Sequence, residues 1–184
     1  MIVDEIFRVF EQYGAEQYLG EQVSMTEHML QSAWAARQDG APPLLVAAAL
    51  LHDYGHFIHG LPEDSAEHGV DTQHEEVAYR FLAEHFGEEI AEPIRLHVAA
   101  KRYLCATEPG YSGLLSAESV RTLALQGGPM TPERVTAFEA LPYARDAVAV
   151  RRWDDEAKDL AVTPPEFAHF AALLTSLTGS GTGR

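Results

Sequence analysis

His52 and Asp53 stand side by side at the end of an apolar run, LLHDYGH over residues 50–56, and His56 follows within about one turn. An imidazole and a carboxylate at the end of such a segment are costly to bury unless something binds them. His28, His74, His97 and Asp154 fall in four other segments, mostly among apolar neighbours. Singly, each histidine reads as a core residue with its hydrogen bonds satisfied. Around the fixed pair His52-Asp53 the set reads better as a metal site. Four imidazoles and two carboxylates suit a pair of borderline metals such as iron, manganese or zinc. Asp53, between ligands, is the natural bridge, because a carboxylate has an oxygen for each of two cations.

Helical spacing extends the site. Lys101 lies four residues after His97 and Arg151 three before Asp154, so each shares a helix face with a proposed ligand. His56 lies four after His52 and joins them if the helix persists that far. Such a cationic group would hold a compact anion, phosphate or phosphonate. The plainer alternative is a solvated charged face, as VRRWDDEAKD read alone suggests. Two such metals carry more charge than two carboxylates remove, which favours an anionic substrate. A phosphatase and an oxygenase could both use that arrangement.

Helices have to position these residues. Ile2, Ile6, Val9, Phe10 and Tyr13 recur at helical spacing, and Gly14 stops the run. Ser24 and Glu27 form a capping-box pattern for a second helix ending near Gly40. Pro42 and Pro43 open a third, apolar helix that carries LLHDYG. FIHGLPEDSAEHGVD reads as a long polar loop. Thr72 and Glu75 suggest a capping box for a fourth helix ending at Gly87, and a fifth runs through IRLHVAAKRYL. Ser116 and Thr131 start two more, ARDAVAVRRWDDEAKD forms an eighth, and Thr163, Pro164 and Glu166 open a ninth. Strand-like alternation is nearly absent. The expectation is an all-α, single globular domain over residues 1–178, with irregular non-parallel packing and a loose tail at 179–184.

Bulk properties narrow the function. The 184 residues suffice for one domain with a proper core. A formal net charge of −15 argues against nucleic acid or an anionic membrane as partner. One cysteine, Cys105, leaves no disulfide within the chain and fits a reducing compartment. The N-terminal stretch lacks the pattern of a secretion signal, and no apolar run has the length of a membrane span, so the cytoplasm is the expected location.

Single His, then His-Asp, then His, then a distal Asp resembles the HD-domain pattern, whose members are α-helical and mostly metal-dependent phosphohydrolases. The added His74 and His97 resemble the dinuclear subset. QYLGEQVSMTEHMLQSA, HVAAKRYL, LALQGG and RRWDDEAKD resemble the mixed-valent diiron oxygenases of this fold that cleave carbon–phosphorus bonds, relatives of myo-inositol oxygenase. The likeness runs from about Gln17 to Asp159. It implies two iron ions, Fe(II)/Fe(III), held by His28, His52, Asp53, His74, His97 and Asp154, with Asp53 bridging. It implies phosphonate contacts from His56, Lys101, Ser119 and Arg151. Tyr18 would occupy an iron until substrate arrives, and Glu21 would meet the substrate's cationic nitrogen. The implied reaction uses O2 to oxidise the hydroxylated carbon beside phosphorus, releasing phosphate with glycine or glycine betaine. A quaternary nitrogen would favour aromatic faces and carboxylates, which Tyr18, Phe57, Glu21, Glu63 and Asp64 could supply. The alternatives are a phosphohydrolase acting on a phosphate ester or nucleotide, and a degenerate module that binds without turnover. The latter is disfavoured because every proposed ligand is present.

Overall fold

The computed structural model describes residues 1–15, 22–62, 65 and 68–179, and its regular elements are helices. In chain order these are α1 (Ile2–Tyr13), α2 (Met25–Gln38), α3 (Pro43–Leu51), the short α4 (Gly55–Ile58), α5 (His74–Phe86) and α6 (Glu88–Thr107). A 3-10 turn at Tyr111–Gly113 follows, then α7 (Ala117–Leu125), α8 (Pro132–Glu139), α9 (Ala144–Glu156) and α10 (Ala168–Leu177). The all-α expectation holds. Tyr18, Glu21, Glu63, Asp64 and the tail beyond Gly179 lie outside the described residues.

α3 runs through the middle. Its sequence PLLVAAALL is apolar on every side, and such a helix has to be surrounded. Every residue from Val46 to Leu51 is buried, and α2, α6, α9 and α10 pack around it. Ala47, Ala48 and Ala49 are small enough for the neighbouring helices to approach closely. Full burial of Leu50 and Leu51 contributes about 1.5–3 kcal/mol each. Phe167 stacks on Phe7 and packs against Phe10, joining the segment before α10 to α1, with ring centroids 5.1 and 4.9 Å apart. A smaller apolar cluster, Leu96, Ala100, Phe138, Ala144 and Ala147, fastens α6, α8 and α9 together. No helix of the described residues is long and apolar enough to cross a membrane.

Most helix starts follow their capping residues. Ser24 and Glu27 close a reciprocal capping box on α2, and Ser116 and Thr131 cap α7 and α8. Four boundaries differ from expectation. The Thr72–Glu75 box does not form, because Gln73 precedes α5 in the left-handed region at φ 49°, where an N-cap's extended backbone is lost. α6 begins six residues before Ile94, with Pro93 inside its second turn. α9 ends at Glu156, not Asp159. α10 starts at Ala168, because Pro165 pushes Pro164 out of the helical region. The segment after His52 also differs: α3 stops at Leu51, a tight turn covers 52–54, and α4 occupies the start of the expected long loop.

Two glycines act by lacking a side chain. Gly14 ends α1 with an ordinary φ of −74°, but a Cβ there would sit 1.7 Å from Thr26 Oγ1 on α2. A Cβ on Gly55 would sit 1.9 Å from the backbone oxygen of His74, so the first turn of α4 rests directly on the first residue of α5. Gly55→Ala should therefore destabilise the protein by at least about 1–3 kcal/mol, the range for overpacking. Gly113→Ala, where nothing lies within 4 Å and φ is ordinary, should be neutral or slightly stabilising. Denaturant midpoints of the two variants check this; equal midpoints would refute the close-approach role of Gly55.

Candidate metal centre

The six expected ligands converge from five helices and one turn. His28 lies in the first turn of α2, His52 caps the end of α3, Asp53 follows in the turn, and His74 opens α5. His97 is central in α6 and Asp154 lies near the end of α9. They form two groups with ligand atoms within 4.8 Å of one another: His28, His52 and Asp154, and Asp53, His74 and His97. Asp53 joins the groups. Its Oδ2 is 3.5 Å from His28 Nε2 and 3.3 Å from His52 Nε2. Its Oδ1 is 3.2 Å from His74 Nε2 and 3.6 Å from His97 Nε2. One carboxylate thus offers one oxygen to each group.

The donor set fits metal ions. The Nδ1–H groups of His28, His52 and His97 donate to the backbone oxygens of Ala157, Ala49 and Ile94 at 2.8, 2.8 and 2.7 Å. A carbonyl only accepts, so Nδ1 carries the hydrogen and Nε2 is the ligating nitrogen when the ring is neutral. The paired Nε2 atoms nevertheless face each other, at 3.1 Å for His28 and His52 and 3.2 Å for His74 and His97. Two facing lone pairs need a proton or a cation between them. Asp154 Oδ1 is buried with no hydrogen bond among the described residues, and lies 3.4 Å from His28 Nε2. These are the signs of a site that expects positive charge.

The electrostatics of these residues agree. Burial opposes charge on Asp53 and Asp154, yet His52 beside the first and Arg151 beside the second hold both carboxyls well below their usual range. Burial also works against an imidazolium, but Asp53 and Asp154 outweigh it at His52 and push that ring up to about 9. His74 shifts upward too, against its burial, through Asp53 and Glu75. Burial and the neighbouring His74 push His97 down to about 3. In each group one ring, His52 or His74, is thus shifted toward its charged form.

The cationic residues lie beside these groups, and none is a solvated face. Lys101 is 3% and Arg151 4% exposed. Lys101 Nζ donates to Thr122 Oγ1 at 2.9 Å, and burial, then Arg151, lower its ammonium to about 8. Arg151 donates through Nη1 to Asp154 Oδ2 at 2.7 Å and through Nη2 to Ser119 Oγ at 3.3 Å. His56 does not continue α3, but the turn still brings it in: its Nε2 is 3.9 Å from Asp53 Oδ1 and its ring stacks on His74 at 4.0 Å. Burial and the His74 ring keep it well below the usual imidazole range. Phe57 lies among the aromatic rings of Phe10 and Tyr54 at the edge of the core.

Some partners had no place in the sequence reading. Thr122 lies three residues after Ser119 and Asp155 four after Arg151, so helical spacing alone could have found both. Tyr111, whose hydroxyl accepts from Arg151 Nε at 3.1 Å, comes from 40 residues away and carried no local signal. The Ala157 oxygen is available to His28 only because α9 ends early.

Asp154→Ala should halve the metal bound per chain, leaving the group of His74 and His97, whereas Asp53→Ala should deplete both groups. Elemental analysis of metal-reconstituted protein reads the difference. Unchanged metal content in Asp154→Ala would remove that residue from the ligand set.

Comparison with known proteins agrees with this geometry. The HD domain family matches residues 24–140, the stretch that supplies every histidine and aspartate of the two groups except Asp154. A (1-hydroxy-2-(trimethylamino)ethyl)phosphonate dioxygenase (glycine-betaine-forming) of Leisingera caerulea is 42% identical over 182 residues, 99% of this chain and 93% of the relative. A hydroxymethylphosphonate dioxygenase of Gimesia maris is 40% identical over 170 residues, 91% of this chain and 84% of the relative. With all but Asp154 of its clustered histidines and aspartates inside that stretch, the chain belongs to the HD-domain family, beside relatives named as phosphonate dioxygenases.

Proposed function

We propose that this protein is a non-haem diiron dioxygenase that uses O2 to cleave the carbon–phosphorus bond of a 1-hydroxyphosphonate, releasing phosphate and a carboxylate. The observation that carries the reading is Asp53, with one oxygen turned to each of two His/Asp groups, beside buried Lys101 and Arg151. Both relatives are named for phosphonates with a hydroxyl on the carbon beside phosphorus. The longer and closer match favours (1-hydroxy-2-(trimethylamino)ethyl)phosphonate as substrate and glycine betaine as product.

In this reading His28, His52 and Asp154 would hold one iron and His74 and His97 the other, with Asp53 available to both. A bound Fe(II)/Fe(III) pair supplies redox reactivity toward O2 and Lewis acidity toward the substrate hydroxyl. Lys101, Arg151, Ser119 and His56 would fix the phosphonate, which would orient the hydroxylated carbon toward the two groups. The ligands are all nearly buried, so bulk water is kept from the reacting carbon. Tyr18 is assigned the guard of the open position before substrate binds, and Glu21 the ammonium end. Both rest on the resemblance alone.

Iron-loaded protein kept anaerobic should bind the hydroxyphosphonate and release phosphate only when oxygen is admitted. Equal release without oxygen would replace this reading with the phosphohydrolase. The pH profile gives a second check. Lys101 loses its proton as pH rises through about 8, so kcat/KM for the phosphonate should fall on that limb. Lys101→Arg, which stays charged, should move the limb upward. A limb unchanged in Lys101→Arg would take Lys101 out of phosphonate binding.

A further inference from the structure

Arg151 is held by more partners than the phosphonate pocket itself requires. A guanidinium has five N–H groups, as a general property of arginine. Nε donates to the Tyr111 hydroxyl at 3.1 Å, Nη1 to Asp154 Oδ2 at 2.7 Å, and Nη2 to Ser119 Oγ at 3.3 Å and to Asp155 Oδ1. The Tyr111 hydroxyl in turn donates to Asp155 Oδ2, so Tyr111, Arg151 and Asp155 close a ring of hydrogen bonds. Counted against the donors of an arginine, one N–H, on Nη1, has no acceptor among the described residues. Tyr111 is 3% exposed and comes from the 3-10 turn after α6, whereas Arg151 and Asp155 share one face of α9.

The charges explain why two more residues are needed. Asp154 already turns Oδ1 toward His28 and His52, so its charge is shared with that group. Asp155 is the carboxylate that serves Arg151 without facing a ligand group, and a buried guanidinium without such a partner is costly. Nη1–Asp154 and Nη2–Ser119 alone would leave Nε unpaired in the interior, and the side chain would be free to turn toward another acceptor.

We infer that Tyr111 and Asp155 form a brace that fixes the guanidinium of Arg151 in one plane and leaves its remaining Nη1 N–H for the tetrahedral anion. They are positioning residues: neither is given a contact with substrate. The brace lowers the ordering that anion binding would otherwise require. The inference rests on the reading of Arg151 as a phosphonate contact.

The test is calorimetric titration of inorganic phosphate into iron-loaded, anaerobic protein. Tyr111→Phe and Asp155→Asn should each weaken phosphate about tenfold, the scale of one or two lost hydrogen bonds in a buried network. Iron content should stay at the wild-type level, and KM for the phosphonate should rise more than kcat falls. In an Arg151→Lys background, itself weakened, Tyr111→Phe should have no further effect, because the brace has nothing left to hold. Full additivity in that background, or loss of iron in Tyr111→Phe, would show a general structural role and overturn the brace. If Arg151→Lys weakens phosphate while Tyr111→Phe and Asp155→Asn bind it as wild type does, the brace fails and the pocket stands. If Arg151→Lys binds phosphate unchanged, the phosphonate assignment fails and the brace with it.

Discussion

The structure turns on one carboxylate that serves two partners. Asp53 is buried between four imidazoles, with Oδ2 toward His28 and His52 and Oδ1 toward His74 and His97. A carboxylate so far from water is tolerated only when positive charge meets it. Everything around it serves that condition. α3 stops one residue before His52, so that Asp53 leaves the helix in a turn and can face both ways. Gly55 lets the backbone of α5 come close enough to deliver His74. Three of the imidazoles are anchored at Nδ1 by backbone oxygens, which aims their Nε2 atoms inward without any further side chain.

The charge distribution is inverted between outside and inside. The chain as a whole is strongly acidic, with a formal net charge of −15. Its interior gathers two aspartates, a lysine, an arginine and a set of histidines around one point. The groups compete for protons: His52 is driven up while His97 beside it is driven down. Such divergence among neighbouring rings is what a shared cation site does to its ligands when only protons are available. An acidic surface and buried cations coexist because Lys101 and Arg151 are shielded inside and the surface charge is screened by salt within about 8–10 Å.

The family match spans residues 24–140, yet Asp154, Arg151 and Asp155 lie beyond it. α9 closes the centre from outside that stretch, packing on α2, α3 and α6. It supplies both a carboxylate for one group and the buried guanidinium beside it, Asp154 and Arg151, from one helix face. α2 is tied back to the segment after α9 by His28 on Ala157 and by Gln31 on the backbone of Asp159 and Val162. The placing of Asp154 thus depends on bonds that span nearly the whole chain.

Residue type and helical period were enough to read the all-α class, most capping residues, the His/Asp set, and the pairing of His97 with Lys101 and of Asp154 with Arg151. Those features depend on neighbours three or four residues apart, whose geometry a helix fixes by itself. Helix ends at Gln73, Glu88, Glu156 and Ala168 were legible only in part, because local backbone and proline sterics shift them from the residues that spacing alone suggests. The bridging place of Asp53 was also legible, but the division of the other five ligands between its two oxygens and the place of Tyr111 on Arg151 were decided by packing. Spacing along a chain says which side chains share a face. Only the approach of α4 to α5, set by the missing side chain of Gly55, and that of the Tyr111 turn to α9, seen in side-chain hydrogen bonds, say which faces meet.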